Sequence, residues 1–193
     1  MSETGQSMSV VGHRDNNKLA IWLFLGGEVV FFTGLILTYI FFRLTQPAAY
    51  AAFKEHLSIP LIGLNTFILI TSSFMVVRSL EAIQAGNSKS LRNNLIAVMV
   101  LGALFLAGQA YEWITLFSEG VSITDTFGTP FFTITGIHGT HVFVGLIWAT
   151  YVVVSTIRGA YSAQNHQGVE LFGLYWHFVD IVWVVLFTAF YLI

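Results

Sequence analysis

The chain has 193 residues, of which 55% are hydrophobic and only 9% are charged, with a formal net charge of −2. Soluble domains carry about 25% charged residues, so this composition excludes an ordinary soluble domain and predicts an integral membrane protein. The few basic residues argue against nucleic acid as a partner. The absence of cysteine excludes disulfides, iron–sulfur clusters and thiolate zinc sites.

The apolar segments follow a short polar beginning. Residues 1–17 lack the apolar core and cleavage site of a signal peptide, and we interpret them as a polar N-terminal tail. Residues 18–193 form one predicted domain with apolar segments at about 18–43, 61–83, 93–117, 130–157 and 170–193. Each segment reaches the roughly 20 residues that a helix needs to cross the hydrocarbon core. The predicted fold class is therefore all-α, a polytopic membrane protein with five transmembrane helices.

The basic residues predict the orientation of these helices. Six lie on the N-terminal side of the predicted membrane, namely Arg14, Lys18, Arg78, Lys89, Arg92 and Arg158. Only Arg43 and Lys54 lie on the other side. Because cytoplasmic loops carry an excess of Lys and Arg, we expect the N-terminus in the cytoplasm and the C-terminus outside.

Ionisable side chains inside the predicted spans are the main candidates for a functional site. They are Glu28, Glu112, His138, His141, His177 and Asp180. Glu28 lies about 15 Å into its helix, near the midplane. Pairs three residues apart share one helix face, and they are Gln109 with Glu112, His138 with His141, and His177 with Asp180. Such groups are costly in hydrocarbon, so we expect them to face the protein interior.

Three interpretations of these residues remain open at this point. A metal or haem site needs ligands that converge from several helices, but no Glu-x-x-His motif occurs, and His141 and His177 lie at poorly matched depths. A proton relay in an independent transporter is disfavoured because the chain has no internal repeat. Spacing alone favours the third interpretation, a set of buried polar contacts between helices.

Other residues predict how the helices pack and anchor. Gly136 and Gly139 flank the histidine pair and are expected to let a neighbouring helix approach closely. Tryptophans near the predicted span ends fit interfacial belts, and they are Trp22, Trp113 and Trp176. Arg78 is most simply a topology anchor, and a contact with a lipid phosphate is the second interpretation.

Several long motifs, in the correct order, resemble one family. The run YWHFVDIVWVVLF (175–187) and the run TGIHGTHVFVGL (135–146) resemble the signature of subunit III of haem–copper respiratory oxidases. GGEVVFFTGLILTY (26–39) resembles the family's helix with a buried glutamate, and LNTFILITSS (64–73) and GQAYEW (108–113) fit in order. The mitochondrial-type member has seven helices, whereas this chain resembles the shorter five-helix bacterial form.

The resemblance implies a non-catalytic accessory subunit of a proton-pumping terminal oxidase in an aerobic respiratory chain. It implies that the chain packs on subunit I, binds phospholipids and supports stability and proton uptake. Haem and copper are then expected in partner subunits, with no cofactor or metal in this chain. The implied location is the bacterial cytoplasmic (inner) membrane. An equivalent subunit that accompanies a nitric oxide reductase remains an alternative.

The resemblance also assigns the polar residues. Glu28 falls on the family's glutamate that reacts with carbodiimides, and the other five ionisable residues fall on family polar positions. We therefore expect His138 and His141 to be interior polar contacts, not ligands, with one of them hydrogen-bonded to Glu28.

Overall fold

The computed structural model describes the backbone of residues 3–192 and the side chains of residues 16–192. Its helices are α1 (Glu3–Thr45), α2 (Pro47–Lys54), α3 (Ile59–Gln84), α4 (Ser88–Ser118), α5 (Gly128–Ile157) and α6 (Gln167–Phe187), and α6 continues as a π-helical turn, Thr188–Leu192. Five of them are long and apolar enough to cross a membrane, which confirms the five predicted spans. The backbone of the predicted N-terminal tail is helical from Glu3 and forms the first part of α1, whereas the side chains of residues 1–15 lie outside the described ones.

The connection between the first two spans is not a simple loop. It contains α2, which begins with Pro47 in its first turn and continues through an alanine-rich run. Tyr50 and Phe53 of this helix are buried, and both rings pack against Phe127 at the start of α5. The short helix therefore covers one end of the bundle.

Helix α6 lies at the centre of the bundle and α1 at its edge. Helix α6 packs against α3 and α5, while α4 packs against both α3 and α5. Buried residues make up 44% of the apolar stretch of α6 but only 11% of that of α1. The main contacts of α1 are with α2, α5 and α6. The fourth and fifth spans, α5 and α6, follow each other along the chain and are in contact. The chain between them turns at Gly159, whose φ of 74° is costly for other residues.

Two tryptophan side chains of α6 lie in the core of the bundle, and one of them had been predicted at the membrane interface. We expected Trp176 in an interfacial belt, but it is fully buried, and its Nε1 donates to Oγ of Ser72 at 3.0 Å. Trp183 is also fully buried and donates to Oγ1 of Thr66 at 2.9 Å. Both indoles thus find an acceptor on α3. Of the predicted belt residues, Trp22 is exposed.

The closest helix contacts involve glycines other than the predicted ones. A Cβ atom at Gly108 would lie 2.5 Å from Oδ1 of Asn65, and one at Gly145 would lie 2.7 Å from Cζ3 of Trp176. A Cβ atom at Gly139 would meet only Cδ2 of Leu106, at an ordinary 3.8 Å. The expectation of a close approach is therefore wrong for Gly139. At Gly136 it holds, because a Cβ atom there would lie 3.0 Å from Cη2 of Trp113 on α4.

Candidate functional site

Glu28 and His141 meet where α1 crosses α5. Nε2 of His141 lies 3.3 Å from Oε2 of Glu28, although the alignment falls short of a hydrogen bond. Nδ1 of His141 lies 2.9 Å from the carbonyl oxygen of Ile137, and because a carbonyl can only accept, Nδ1 carries a proton. Of the two histidines, it is therefore His141 that approaches Glu28.

The environment of this pair is apolar but not closed. The ring of Phe32 stands edge-on to the imidazole, with centroids 5.4 Å apart, and the hydroxyl of Tyr175 donates to the backbone carbonyl of His141 at 2.9 Å. The side chain of Glu28 is 21% exposed in this chain and that of His141 is 17% exposed. The two groups are thus partly exposed at the edge of the bundle and not fully buried as we had expected.

Glu112 has its partners on α4 and at the C-terminal turn. Its Oε2 accepts hydrogen bonds from the hydroxyl of Tyr191 at 2.7 Å and from Nε2 of Gln109 at 2.9 Å. All three side chains are buried. The sequence reasoning paired Gln109 with Glu112 but missed Tyr191, which the continuation of α6 as a π-helical turn brings to α4.

His138 does not share the environment of His141, although they are three residues apart. It is buried, and neither ring nitrogen has a hydrogen-bond partner among the described side chains and backbone. Its ring stacks on Trp183, with centroids 5.0 Å apart, and stands edge-on to Phe105 at 5.9 Å. The expectation of a polar contact for His138 is therefore corrected, because its immediate neighbours are aromatic rings.

His177 and Asp180 lie on the side of α6 that faces α3. Nδ1 of His177 is 2.6 Å from Oγ of Ser73. Asp180 is buried, as expected for a side chain that points into the protein, but neither carboxyl oxygen makes a hydrogen bond among the described residues. Near the end of α3, Arg78 is exposed, and its Nη1 contacts Oε2 of Glu81 at 3.1 Å.

These polar groups remain separate from one another. Glu28 with His141, Glu112 with Gln109 and Tyr191, and His177 with Ser73 each join two different elements. Within residues 16–192, no three His, Asp or Glu side chains converge as a metal site would require. Each set can fix the rotation and depth of its helices, and the sets that contain Glu28 and Glu112 can also hold a proton.

The polar face of α3 was not predicted from the sequence. Asn65, Thr66 and Ser72 are all buried, and Nδ2 of Asn65 donates to the carbonyl of Phe105 at 2.9 Å. The other two accept the indole protons of α6. The spacing of the polar residues in LNTFILITSS at positions 65, 66, 72 and 73 carried this signal, since they fall on nearby turns of one helix.

Comparison with known proteins places this arrangement in a family. The model of the family described as cytochrome c oxidase subunit III matches residues 4–193. The chain is 37% identical to cytochrome c oxidase subunit 3 of Synechocystis sp., over 98% of this chain and 81% of that protein. It is 37% identical to the subunit 3 of Thermostichus vulcanus, over 94% of this chain and 89% of that protein. It is also 33% identical to quinol oxidase subunit 3 of Bacillus subtilis, over 91% of this chain and 86% of that protein. The chain therefore belongs to the cytochrome c oxidase subunit III family.

Proposed function

We propose that this chain is a non-catalytic accessory subunit of a proton-pumping haem–copper terminal oxidase in an aerobic respiratory chain. The observation that carries the proposal is the family match, which extends over nearly the whole chain. Relatives named for cytochrome c oxidases and for quinol oxidases match to similar extents. The haem and copper of such a complex belong, in this proposal, to partner subunits.

In this proposal the chain lies in a bacterial inner membrane, packs on subunit I and has its N-terminus on the cytoplasmic side. The orientation is supported by the basic residues near the span ends on one side of the bundle, namely Lys18, Arg78, Lys89, Arg92 and Arg158. The packing is supported by the large apolar surface that the bundle leaves uncovered, above all on α1.

A role in phospholipid binding is supported by a cleft between α1, α3 and α6. The cleft has a volume of about 430 Å³, an apolar lining that includes Trp22 and Val77, and Lys18 at its cytoplasmic end. Lys18 contacts Oε2 of Glu170 at 2.9 Å, so the rim presents both charges to a zwitterionic headgroup. Arg78, exposed and next in sequence to Val77, is the proposed contact for a lipid phosphate.

A role in proton uptake rests on the carboxyl groups within the bundle. Glu28 and His141 place a carboxyl and an imidazole 3.3 Å apart in a partly exposed position. We propose that this pair, the partly buried His177, and the buried residues Glu112, His138 and Asp180 tune stability and proton supply and take no part in oxygen reduction.

The experiment compares the oxidase with and without this chain. The complex is purified, the chain is stripped with a harsher detergent, and oxygen consumption is followed during sustained turnover. We expect the stripped enzyme to begin at a comparable rate, to lose activity faster over many turnovers, and to recover when the purified chain is added back. Immediate loss of all oxygen reduction, with haem or copper leaving together with the chain, would contradict the accessory role.

A further inference from the structure

His138 places a hydrogen-bond donor in the core of the bundle without an acceptor from the chain. The residue is only 1% exposed, and neither ring nitrogen makes a hydrogen bond among the described residues. A neutral imidazole carries one N–H and a charged one carries two, so a donor is present in either state. A buried donor that is left unpaired costs more free energy than an ordinary hydrogen bond contributes.

Two oxygen atoms on α4 are unpaired in the same way. Nε2 of Gln109 donates to Oε2 of Glu112 at 2.9 Å, and the hydroxyl of Tyr191 donates to that same oxygen. Oε1 of Gln109 and Oε1 of Glu112 have no hydrogen-bond partner in the part of the chain that the structure describes. Both side chains are buried, so neither oxygen is open to the membrane surface.

Contacts between α4 and α5 place the unpaired donor and the unpaired oxygens close together. Nε1 of Trp113 donates to Oγ1 of Thr135 at 3.2 Å, and the ring of Phe105 stands edge-on to His138. Gln109 lies one turn from both Phe105 and Trp113, on the same face of α4. It therefore faces the turn of α5 that runs from Thr135 to His138.

Other contacts hold these groups in place, so that they do not turn toward one another. The ring of His138 stacks on Trp183 of α6, with centroids 5.0 Å apart. The amide of Gln109 is fixed by its bond to Glu112. Because a donor and two oxygens are held near each other without a bond between them, a small polar molecule is needed to join them. Water fits this requirement, since a buried water typically makes about three hydrogen bonds to such groups.

We propose that an ordered water molecule is bound in the core between His138 and the pair formed by Gln109 and Glu112. The water accepts the N–H of His138 and donates to Oε1 of Gln109, and Oε1 of Glu112 is its third partner. Through this water, His138 on α5 joins the contact between α4 and Tyr191 at the C-terminal turn. The inference concerns the interior of this chain and does not depend on the proposed function.

A cryo-electron microscopy map of the assembled oxidase, at a resolution that shows bound water, tests the site directly. We expect a density peak within hydrogen-bond distance of both a ring nitrogen of His138 and Oε1 of Gln109. A direct contact between the imidazole and Gln109 would overturn the inference, and so would continuous apolar packing between them without a peak.

A pair of variants at His138 tests whether its surroundings are polar. Glutamine and methionine are similar in length and volume, but only glutamine forms strong hydrogen bonds. We expect the purified His138→Gln chain to unfold at a higher temperature than His138→Met, because the amide retains the water, whereas methionine expels it and leaves Oε1 of Gln109 unpaired. If methionine gives the more stable chain, the site is apolar and the inference is wrong.

Val142 provides the matched control for this pair. It is fully buried and lies one turn from His138 on the same helix. A buried amide without a partner is costly, so Val142→Gln should be less stable than Val142→Met, the reverse of the order at His138. Thermal unfolding of the four variants, followed by circular dichroism, gives both orders. The same order at the two positions would overturn the inference, since the preference would then not be specific to the site.

Discussion

The hydroxyl of Tyr191 donates a 2.7 Å hydrogen bond to Oε2 of Glu112 and so ties the last turn of the chain to α4. Both side chains are buried, so without this bond the carboxyl oxygen could not replace it by a hydrogen bond to water. Gln109 donates to the same oxygen, so the carboxyl is held from two directions. The C-terminal end of the bundle is therefore fixed by a polar contact as well as by packing.

Loss of this contact should weaken the fold without abolishing it. We expect Tyr191→Phe to lower the free energy of unfolding by about 1 kcal/mol, since Gln109 still serves Glu112 and single polar contacts in membranes contribute modestly. Thermal unfolding of the chain in detergent, followed by circular dichroism, measures the change. Tyr111→Phe is the control, because Tyr111 is exposed on α4, next in sequence to Glu112. Equal midpoints for the two variants would show that the Tyr191 bond contributes nothing.

Accessibility should separate the two membrane-embedded glutamates in their reaction with a hydrophobic carbodiimide. Glu28 is partly exposed at the bundle edge, whereas Glu112 is sealed between α4 and the C-terminal turn. We expect labelling at Glu28 in membranes, its absence in Glu28→Gln, and no labelling at Glu112. Mass spectrometry of the digested chain gives the site. Preferential modification of Glu112 would mean that the bundle is open where we find it closed.

Replacement of Glu28 by glutamine should cost activity only modestly. The side chain keeps its size, and the chain should assemble normally, because no hydrogen bond within the described residues depends on Oε2. We expect a reduced rate in sustained oxygen consumption by the purified complex. Complete loss of oxygen reduction by an assembled complex would assign Glu28 a catalytic role.

Opposite effects are expected for alanine at two helix glycines. At Gly108 the added Cβ would lie 2.5 Å from Oδ1 of Asn65. Because Nδ2 of the same side chain donates to the carbonyl of Phe105, Gly108→Ala should destabilise the chain by about 1–3 kcal/mol. At Gly63 the space is open, and removal of a helix glycine should be neutral or stabilising by up to about 1 kcal/mol. Unfolding midpoints of the two purified variants decide this, and shifts of the same sign would contradict the packing described here.

Asp180 should tolerate loss of its charge. Neither carboxyl oxygen is hydrogen-bonded among the described residues, so Asp180→Asn breaks no identified bond. We expect the free energy of unfolding of the isolated chain, obtained from its thermal unfolding, to change by no more than about 1 kcal/mol. A variant that folds but fails to remain in the complex, or a larger loss of stability, would contradict this expectation.

The long elements and the polar pairs were predictable to different degrees. Five spans follow directly from apolar length, because a helix must be long enough to cross the membrane and must satisfy its own backbone. Gln109 and Glu112 were paired correctly, since both lie on one helix and spacing alone decides their contact.

Contacts between helices depended on rotations that spacing does not fix. The burial of Trp176 and the open face at Gly139 both result from how α5 and α6 turn toward α3 and α4. Tyr191 was missed because an aromatic residue at the end of a span resembles an interfacial anchor until its neighbour is known. The short helix α2 escaped notice because eight residues carry too little periodicity to separate a helix from a loop.

The most direct measurement of the central claim is the optical spectrum and metal content of this chain before and after its separation from the complex. A tagged chain is purified from native membranes in mild detergent, the subunits that accompany it are identified, and the chain is then released and measured alone. The account predicts that the intact complex contains haem and copper, and that both remain with the other subunits when this chain leaves. Stoichiometric haem or copper bound to the isolated chain would contradict it.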